Sequence, residues 1–250
     1  MQVVRVSLAI LGRVALEQPI GSSALARALN LPKSTVQRHL KLLAEEGWLV
    51  PAADGTQKWQ MGPAAQELAR RAPTELGLRD AALPVMRRLA ESSLETVYLA
   101  VPTGDTAVLI ERVDSPQPVR TYNPLGTQIP LHGPATGKAI LAHLTPETQA
   151  RFIASTLPAF TPHTVQGGQL REQLQRIRVD GFAVNVGEWR SDVVGIASPI
   201  LDGEGRPLCS IGISMPVSRY DPARLAEWGA ATAHAAAAIL AAVSGRDPLL

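Results

Sequence analysis

A single cysteine, Cys209, stands in 250 residues, which excludes an intramolecular disulfide framework and suits a reducing compartment. Aromatic residues make up only 4% of the chain, so any core has to rest on Leu, Val, Ile and Ala. The least polar run, residues 229–243, is short, rich in alanine and interrupted by His234. It reads as a packed terminal helix and not as a membrane span. Asp221-Pro222 ahead of it reads as an N-cap followed by Pro at the first helical position. Residues 1–16 carry Arg5 and Arg13 within their apolar stretch and show no cleavage pattern, so no signal peptide is expected and the cytoplasm is the expected location. Catalytic signatures are missing as well: there is no Gly-x-Ser-x-Gly elbow, no phosphate loop and no His-Glu-x-x-His. His39, His132, His143, His163 and His234 show no metal-ligand spacing. No catalytic residue, metal or cofactor is therefore expected.

What is present is ordinary globular material. With 46% hydrophobic and 18% charged residues the chain can bury a core, and its length favours two domains. Net charge is close to balanced but uneven. Residues 1–75 hold nine Lys or Arg against six Asp or Glu, a net of +3, and the remainder carries 15 against 16. A basic first third permits contact with nucleic acid without requiring it.

Val6, Ile10 and Val14 recur at helical spacing, so a first helix is expected over residues 3–17. After Pro19-Ile20-Gly21, Ser22 or Ser23 can cap a short helix through Leu29. Asn30-Leu31-Pro32 reads as a tight turn, and a third helix follows over residues 33–46, ended by Gly47. Trp48-Leu49-Val50 and Lys58-Trp59-Gln60-Met61 flank Asp54-Gly55 as a hairpin. This is the order of a winged helix. In the third helix Val36, Leu40 and Leu43 form an apolar face, with Ser34, Gln37, Arg38, Lys41 and Glu45 on the opposite stripe. Gln and Arg suit bidentate contacts with adenine and guanine edges, while Ser and Lys suit phosphate. Alone, such a stripe fits any solvated helix face; the preceding helix, the turn and the wing shift the reading toward DNA. The expected contacts are Lys33, Ser34, Thr35, Gln37, Arg38 and Lys41, with Lys58 at the wing tip Thr56-Gln57-Lys58. Trp48 and Trp59 are expected to pack the wing on the core.

Residues 63–93 read as one or two helices, broken or bent near Pro73 and Pro84, and form the candidate linker. Beyond them the period becomes two, at residues 96–101 and 107–111, around Thr103-Gly104-Asp105. Helices are expected near Ala135, near Thr145-Pro146 and over residues 169–180, and strands over 182–186, 195–201 and 208–215. Strands joined by hairpins with helices among them argue for an antiparallel α+β domain.

Several segments resemble one family in order along the chain. Leu31-Pro32-Lys33-Ser34-Thr35-Val36-Gln37-Arg38-His39-Leu40, Val108-Leu109-Ile110-Glu111-Arg112-Val113-Asp114-Ser115-Pro116, Ile129-Pro130-Leu131-His132 and Thr136-Gly137-Lys138-Ala139-Ile140-Leu141-Ala142 are similar to the IclR family of bacterial transcription regulators. Gly181-Phe182-Ala183-Val184, Ala197-Ser198-Pro199-Ile200 and Ile211-Gly212-Ile213-Ser214 extend the likeness. The resemblance implies an α+β fold: an N-terminal winged helix-turn-helix at 1–63, a helical linker at 64–80, and a C-terminal antiparallel-sheet (GAF/profilin-like) effector-binding domain at 81–246. It implies double-stranded operator DNA, a small organic or aromatic acid and a second copy of the chain as partners, as a homodimer or a dimer of dimers, and no membrane.

The resemblance also implies an effector site on the amides of Ala135 and Thr136, with Thr121, Ile129, Asn185, Val193, Gly195, Gly212 and Ser214 around it. The position of Asn185 is often acidic in the family, that of Gly195 can be Cys and that of Gly212 can be Ser, which implies a roomier, less polar pocket. Read from the residues alone, Gly137 and Lys138 fit close helix–sheet packing and a surface charge, and His132 fits a bond to a backbone carbonyl. The expected function is a repressor of a catabolic operon controlled by an acid effector. A ligand-responsive activator is the alternative, and a small-molecule enzyme or a sensor acting on a protein partner are rivals from other classes.

Overall fold

The computed structural model describes residues 2–71 and 75–245. Pro73, the site of an expected break, lies outside the described residues. The chain divides into two compact units, Met1–Leu76 and Gly77–Leu250, a division that falls inside the stretch read as a linker.

The first unit contains α1 (Gln2–Glu17), β1 (Ile20–Gly21), α2 (Ser22–Leu29), α3 (Lys33–Glu45), β2 (Leu49–Pro51), β3 (Lys58–Met61) and α4 (Pro63–Arg71). Asn30 adopts a left-handed conformation, φ 51°, and closes α2 with its own N–H on Ala26 and Arg27. Pro32 then opens α3, because its fixed φ suits a helix entry and its missing N–H costs nothing there. The N-cap of α2 is Gly21 and not either serine. Ile10, Val14, Ile20, Leu25, Val36, Leu40, Leu43 and Leu49 form the core, with Val6, Trp48 and Trp59 packed partly buried against it. Burying each such aliphatic side chain contributes about 1.5–3 kcal/mol. The wing pairs Leu49 with Met61 and Pro51 with Trp59, and Trp59 also faces Ile20 of β1, a third strand that the sequence did not announce.

The second unit contains α5 (Glu75–Ser93), β4 (Thr96–Thr103), β5 (Thr106–Val113), β6 (Gln128–Pro130), α6 (Ala135–Leu141), α7 (Pro146–Ala154), α8 (Gly167–Asp180), β7 (Ala183–Val186), β8 (Val193–Leu201), β9 (Pro207–Pro216) and α9 (Leu225–Ser244). Its strands make one antiparallel sheet in the order β6-β5-β4-β9-β8-β7. Successive side chains of a strand point to opposite faces, and both faces are covered. Val97, Leu99, Ile211 and Ile213 pack with residues of α5 and α9, whereas Tyr98, Ala100, Ala183 and Ala197 pack with α6, Phe152 of α7 and α8.

Two expectations, on Pro84 and on Lys138, are corrected here. Pro84 lies inside α5 without ending it. It is exposed, so the carbonyl one turn earlier, which proline leaves without a partner, can be solvated. Asp221 is the N-cap read from the sequence, with Pro222 in the first turn and the Ala223 N–H donating to its side chain at 2.9 Å; the turn it opens, Pro222–Arg224, is 3-10 and runs into α9. Lys138 is not a surface charge: it is fully buried. The stretch Pro222–Ser244 is apolar and long enough to cross a membrane by composition, yet Trp228, Ala235, Ala236 and Ile239 are buried against the sheet.

Candidate nucleic-acid interface and effector cavity

Helix α3 turns Val36, His39, Leu40 and Leu43 into the core, so the stripe on the opposite side of the helix is left outward. Lys33, Ser34, Gln37, Arg38, Lys41 and Glu45 are exposed, and Thr35 is half-buried. His39 is fixed inward by the Ser7 hydroxyl, 2.8 Å from its Nδ1, which ties α3 to α1. The wing stands beside this stripe. Gln37, Lys41, Thr56, Gln57, Lys58 and Trp59 line one groove of about 700 Å3. Thr56 donates twice to Asp54, from its amide at 3.0 Å and its hydroxyl at 2.5 Å. These bonds hold the Asp54 carboxyl below its ordinary pKa and fix the tip of the hairpin. Lys41 lies 3.9 Å from Glu45 on an open surface, a pair too exposed to hold it. The structure thus brings Gln37, Lys41 and Lys58 to one groove and sets Lys33, Ser34, Thr35 and Arg38 on or near the outer face of the same helix.

In the second unit a small cavity of about 40 Å3 lies between the sheet and the start of α6. Ile129, Ala135, Thr136, Asn185, Val193, Gly195, Gly212 and Ser214 line it. Thr121 does not; it stands one bond behind, its hydroxyl 3.2 Å from the Ser214 carbonyl. Tyr98, Leu109, Asn123, Pro134, Trp189 and Ile213 also line the cavity and were missed. The alternation of β4 marked Tyr98 as facing one side of the sheet, but nothing in the sequence showed that side to be hollow. The Tyr98 hydroxyl accepts from the Asn123 N–H at 2.8 Å, and the Arg112 guanidinium holds the Asn123 carbonyl at 2.7 Å. Burial raises the Tyr98 pKa, against the pull of hydrogen bonds from Asn123 and Thr121 and the nearby charge of Arg112.

The expected roomier pocket is not found. A Cβ on Gly212 would stand 2.7 Å from the Ala197 Cβ and 2.8 Å from the Ile196 carbonyl oxygen, and one on Gly195 would stand 3.3 Å from the Ala135 Cβ. The space that a larger residue would fill is occupied by β8 beside Gly212 and by the first turn of α6 lying close on the sheet. Gly137 permits this approach, since a Cβ there would lie 2.4 Å from the Pro130 carbonyl oxygen.

Behind the cavity stands a buried ion pair that the sequence did not reveal. The Lys138 ammonium lies 2.7 Å from both carboxylate oxygens of Glu188 and 2.6 Å from the Gln173 side-chain oxygen and the Val184 carbonyl. Burial lowers the Lys138 pKa and the Glu188 carboxylate opposes the shift. Glu188 in turn donates its backbone N–H to Oδ1 of Asn185 at 2.7 Å. His132 meets the Pro158 carbonyl at 3.0 Å, as read from the sequence. Cys209 is buried in β9 and its thiol pKa is pushed up to about 12 by desolvation, which removes it as a nucleophile at neutral pH. Arg190 and Asp192 are exposed and 3.8 Å apart, as a solvated loop would have them. Among the described residues no three His, Cys, Asp or Glu stand together as metal ligands.

Comparison with known proteins bears on both units. Residues 3–52 match the IclR helix-turn-helix domain, and residues 71–241 match the bacterial transcriptional regulator IclR C-terminal domain. The chain is similar to the HTH-type transcriptional regulator BhcR of Paracoccus denitrificans, at 32% identity over 92% of this chain and 83% of the relative. It is also similar to the HTH-type transcriptional repressor AllR of Klebsiella pneumoniae, at 34% identity over 86% and 80%. Among solved structures, an IclR homolog complexed with 4-hydroxybenzoate, from Microbacterium hydrocarbonoxydans, aligns over 97% of this chain and 99% of its own. The TM-score is 0.80 and the identity 25%.

Proposed function

We propose an acid-controlled repressor, starting from the premise that this chain belongs to the IclR family of bacterial transcriptional regulators and is a DNA-binding regulator. Repression is favoured by the repressors among its relatives, and a catabolic operon and a cytoplasmic site of action go with that reading. The observation that carries it is the exposed stripe of Ser34, Gln37, Arg38 and Lys41 beside Lys58 of the wing. Lys33, Ser34, Thr35 and Lys58 hold phosphate and sugar in this reading, and Gln37 and Arg38 read base edges. One winged helix covers a modest interface, so two copies, as a homodimer or a dimer of dimers, would bind half-sites spaced by a helical turn of about 34 Å or a multiple of it. Leu68, Leu76, Leu83 and Leu89, in the helical stretch 63–93, are the apolar residues that dimerisation would draw on, but Leu89 does not speak for it, because it is buried in its own unit. Leu68 is exposed, and the side chain of Leu76 lies outside the described residues.

The effector reading rests on the cavity. Its walls carry no charged side chain among the described residues, and the first amides of α6 have no carbonyl partner within the helix. A carboxylate accepting from Ala135 and Thr136, with Ile129, Asn185, Val193, Gly195 and Ser214 around it and Thr121 in support, suits such a site. At about 40 Å3 the cavity favours a small organic acid over an aromatic one. The family neighbour complexed with 4-hydroxybenzoate keeps the aromatic acid in the comparison.

The test is fluorescence anisotropy on the DNA upstream of the chain's own gene, titrated with pyruvate or 4-hydroxybenzoate. One acid should release the DNA. Thr136→Pro removes one N–H and should weaken that acid by about 1.5–3 kcal/mol, roughly ten- to a hundredfold, while Thr136→Val keeps the amide and the affinity. Turnover of either acid would turn the reading toward an enzyme, and tighter DNA binding in its presence would turn it toward the other regulatory sign.

A further inference from the structure

Asn185 is 2% exposed and lines the cavity. Its side-chain amide can be placed either way round, and one contact decides which. The Glu188 backbone N–H, 2.7 Å away, can only donate, so the atom facing it is Oδ1. The NH2 group is then the polar atom that Asn185 offers to the cavity, and among the described residues no acceptor is paired with it. A donor that faces a cavity and has no protein acceptor is free to meet an oxygen of an occupant.

Two sets of contacts fix the Glu188 N–H: the ion pair behind it, and the Thr164 hydroxyl, which donates to the Glu188 carbonyl at 2.6 Å. Glu188 lies in the connection from β7 to β8, where the Thr161 hydroxyl also donates to the Gly187 carbonyl at 2.6 Å. Its carboxylate is gripped by Lys138 from α6, and Lys138 is shared with Gln173 of α8 and Val184 of β7. Gln173 also donates to that carboxylate at 3.3 Å, so α6 and α8 hold the side chain of the residue whose amide orients Asn185, and β7 holds Lys138. The geometry points to Lys138 and Glu188 as positioning residues that hold the Asn185 amide as a donor, so that the cavity selects an effector presenting a carboxylate or carbonyl oxygen over one presenting only donors. This inference rests on the reading of the cavity as the effector site. Neither residue reaches the effector; both act through Asn185.

The test uses the full chain and two probe pairs, acetate against methylamine and benzoate against benzylamine. The wild type should bind a carboxylate and neither amine. Asn185→Asp keeps the acceptor for Glu188 but replaces the donor by oxygen, and should weaken the carboxylate about ten- to a hundredfold. Lys138→Met combined with Glu188→Gln removes both charges, so that neither is left buried alone, and should weaken it about tenfold. Should that double variant not fold, Glu188→Asp replaces it: both charges stay while the reach to Lys138 is shortened, with a smaller loss in the same direction.

Hydrogen exchange gives a readout that needs no ligand. In the pair variant the Glu188 amide should exchange at least about tenfold faster, while the amides of Ile196 and Ile213 in the sheet stay protected. Unchanged exchange at Glu188 overturns the positioning role even if carboxylates bind. Amine binding equal to carboxylate binding in the wild type overturns the selectivity. If neither probe class binds, the acid-effector reading and the selectivity fall together, and the exchange result still decides whether the pair positions Asn185.

Discussion

In the N-terminal unit the groups that can meet a ligand stand outside a finished core, on one helix and the adjacent hairpin, within residues 33–58. In the C-terminal unit they are gathered from residues as far apart as Tyr98 and Ser214, sunk between a sheet and a helix, and uncharged. The buried charges behind the cavity, Lys138 and Glu188, are consumed by each other. The first arrangement suits a polyanion, whose affinity comes from many solvated contacts to phosphate. The second suits a small molecule, which must gain its affinity from few contacts in a space that excludes water. A surface stripe can be changed residue by residue at little cost to the fold, whereas a cavity wall is also part of the core.

The largest expected effect tests that last difference. Gly137→Ala places a Cβ against the backbone of Pro130 and Leu131, at 2.4 Å and 2.9 Å, and should destabilise the C-terminal unit by about 1–3 kcal/mol or more, because backbone cannot step aside as a side chain can. Gly12→Ala in exposed α1 meets nothing within 4 Å, and should stabilise the N-terminal unit by roughly 0.5–1 kcal/mol. Urea denaturation of both variants, followed by circular dichroism, reads the signs. Equal effects would mean that the two glycines are not held as differently as their surroundings indicate.

A change of intermediate size separates roles within the stripe itself. Arg38→Ala should cost about 1–3 kcal/mol on the operator and relax the preference at one base position, since a bidentate contact to a base edge is lost. Lys41→Ala or Lys58→Ala should weaken operator and random DNA alike and lower the slope of log affinity against log salt by about one. Equal losses on both DNAs for Arg38→Ala would make it a phosphate contact, and the stripe would then position the helix without reading sequence.

The same contrast explains what was legible in the sequence. The recognition stripe was readable because helix periodicity sorts residues into inward and outward faces within a dozen positions, and Val36, Leu40 and Leu43 sort as they should. The antiparallel sheet was readable from its alternation, although β1 and β6 were too short to show one. The cavity positions came from family resemblance, and that resemblance could not supply their volume. Gly195 and Gly212 look like holes in a one-dimensional list, yet Ala135 fills the space beside Gly195 and Ile196 and Ala197 of β8 crowd Gly212. Lys138 was read as a surface charge because its partner lies 50 residues away on another element, and no local pattern announces such a pairing. Pro84 looked like a break because the rule concerns a lost hydrogen bond, and the rule weakens where that bond faces water.

The smallest expected effect concerns acid. His143 is half-buried at the end of α6, with Nδ1 3.2 Å from the Ala139 carbonyl. Burial lowers its pKa from the ordinary 6.5, the Arg178 guanidinium lowers it further, and the bond to Ala139 opposes both. The unfolded chain therefore takes up this proton before the folded one does. The contribution of His143 is fully present above about pH 6.5 and is lost as pH falls through the lower, folded value. In that window the aspartates stay ionised: Asp54 in one unit and Asp105 and Asp202 in the other all titrate below 3.8 in the folded chain, because hydrogen bonds favour their charged forms. Acid between pH 6.5 and 5 should accordingly weaken the C-terminal unit through His143 while these carboxylates hold. The measurement is urea denaturation across that range, for the wild type and for His143→Gln, which keeps a donor for Ala139 and cannot gain the charge. The variant should show a flatter pH dependence over the window and the same behaviour below pH 4. A wild-type slope that survives in His143→Gln would place the acid-sensitive group elsewhere and remove this difference between the two units.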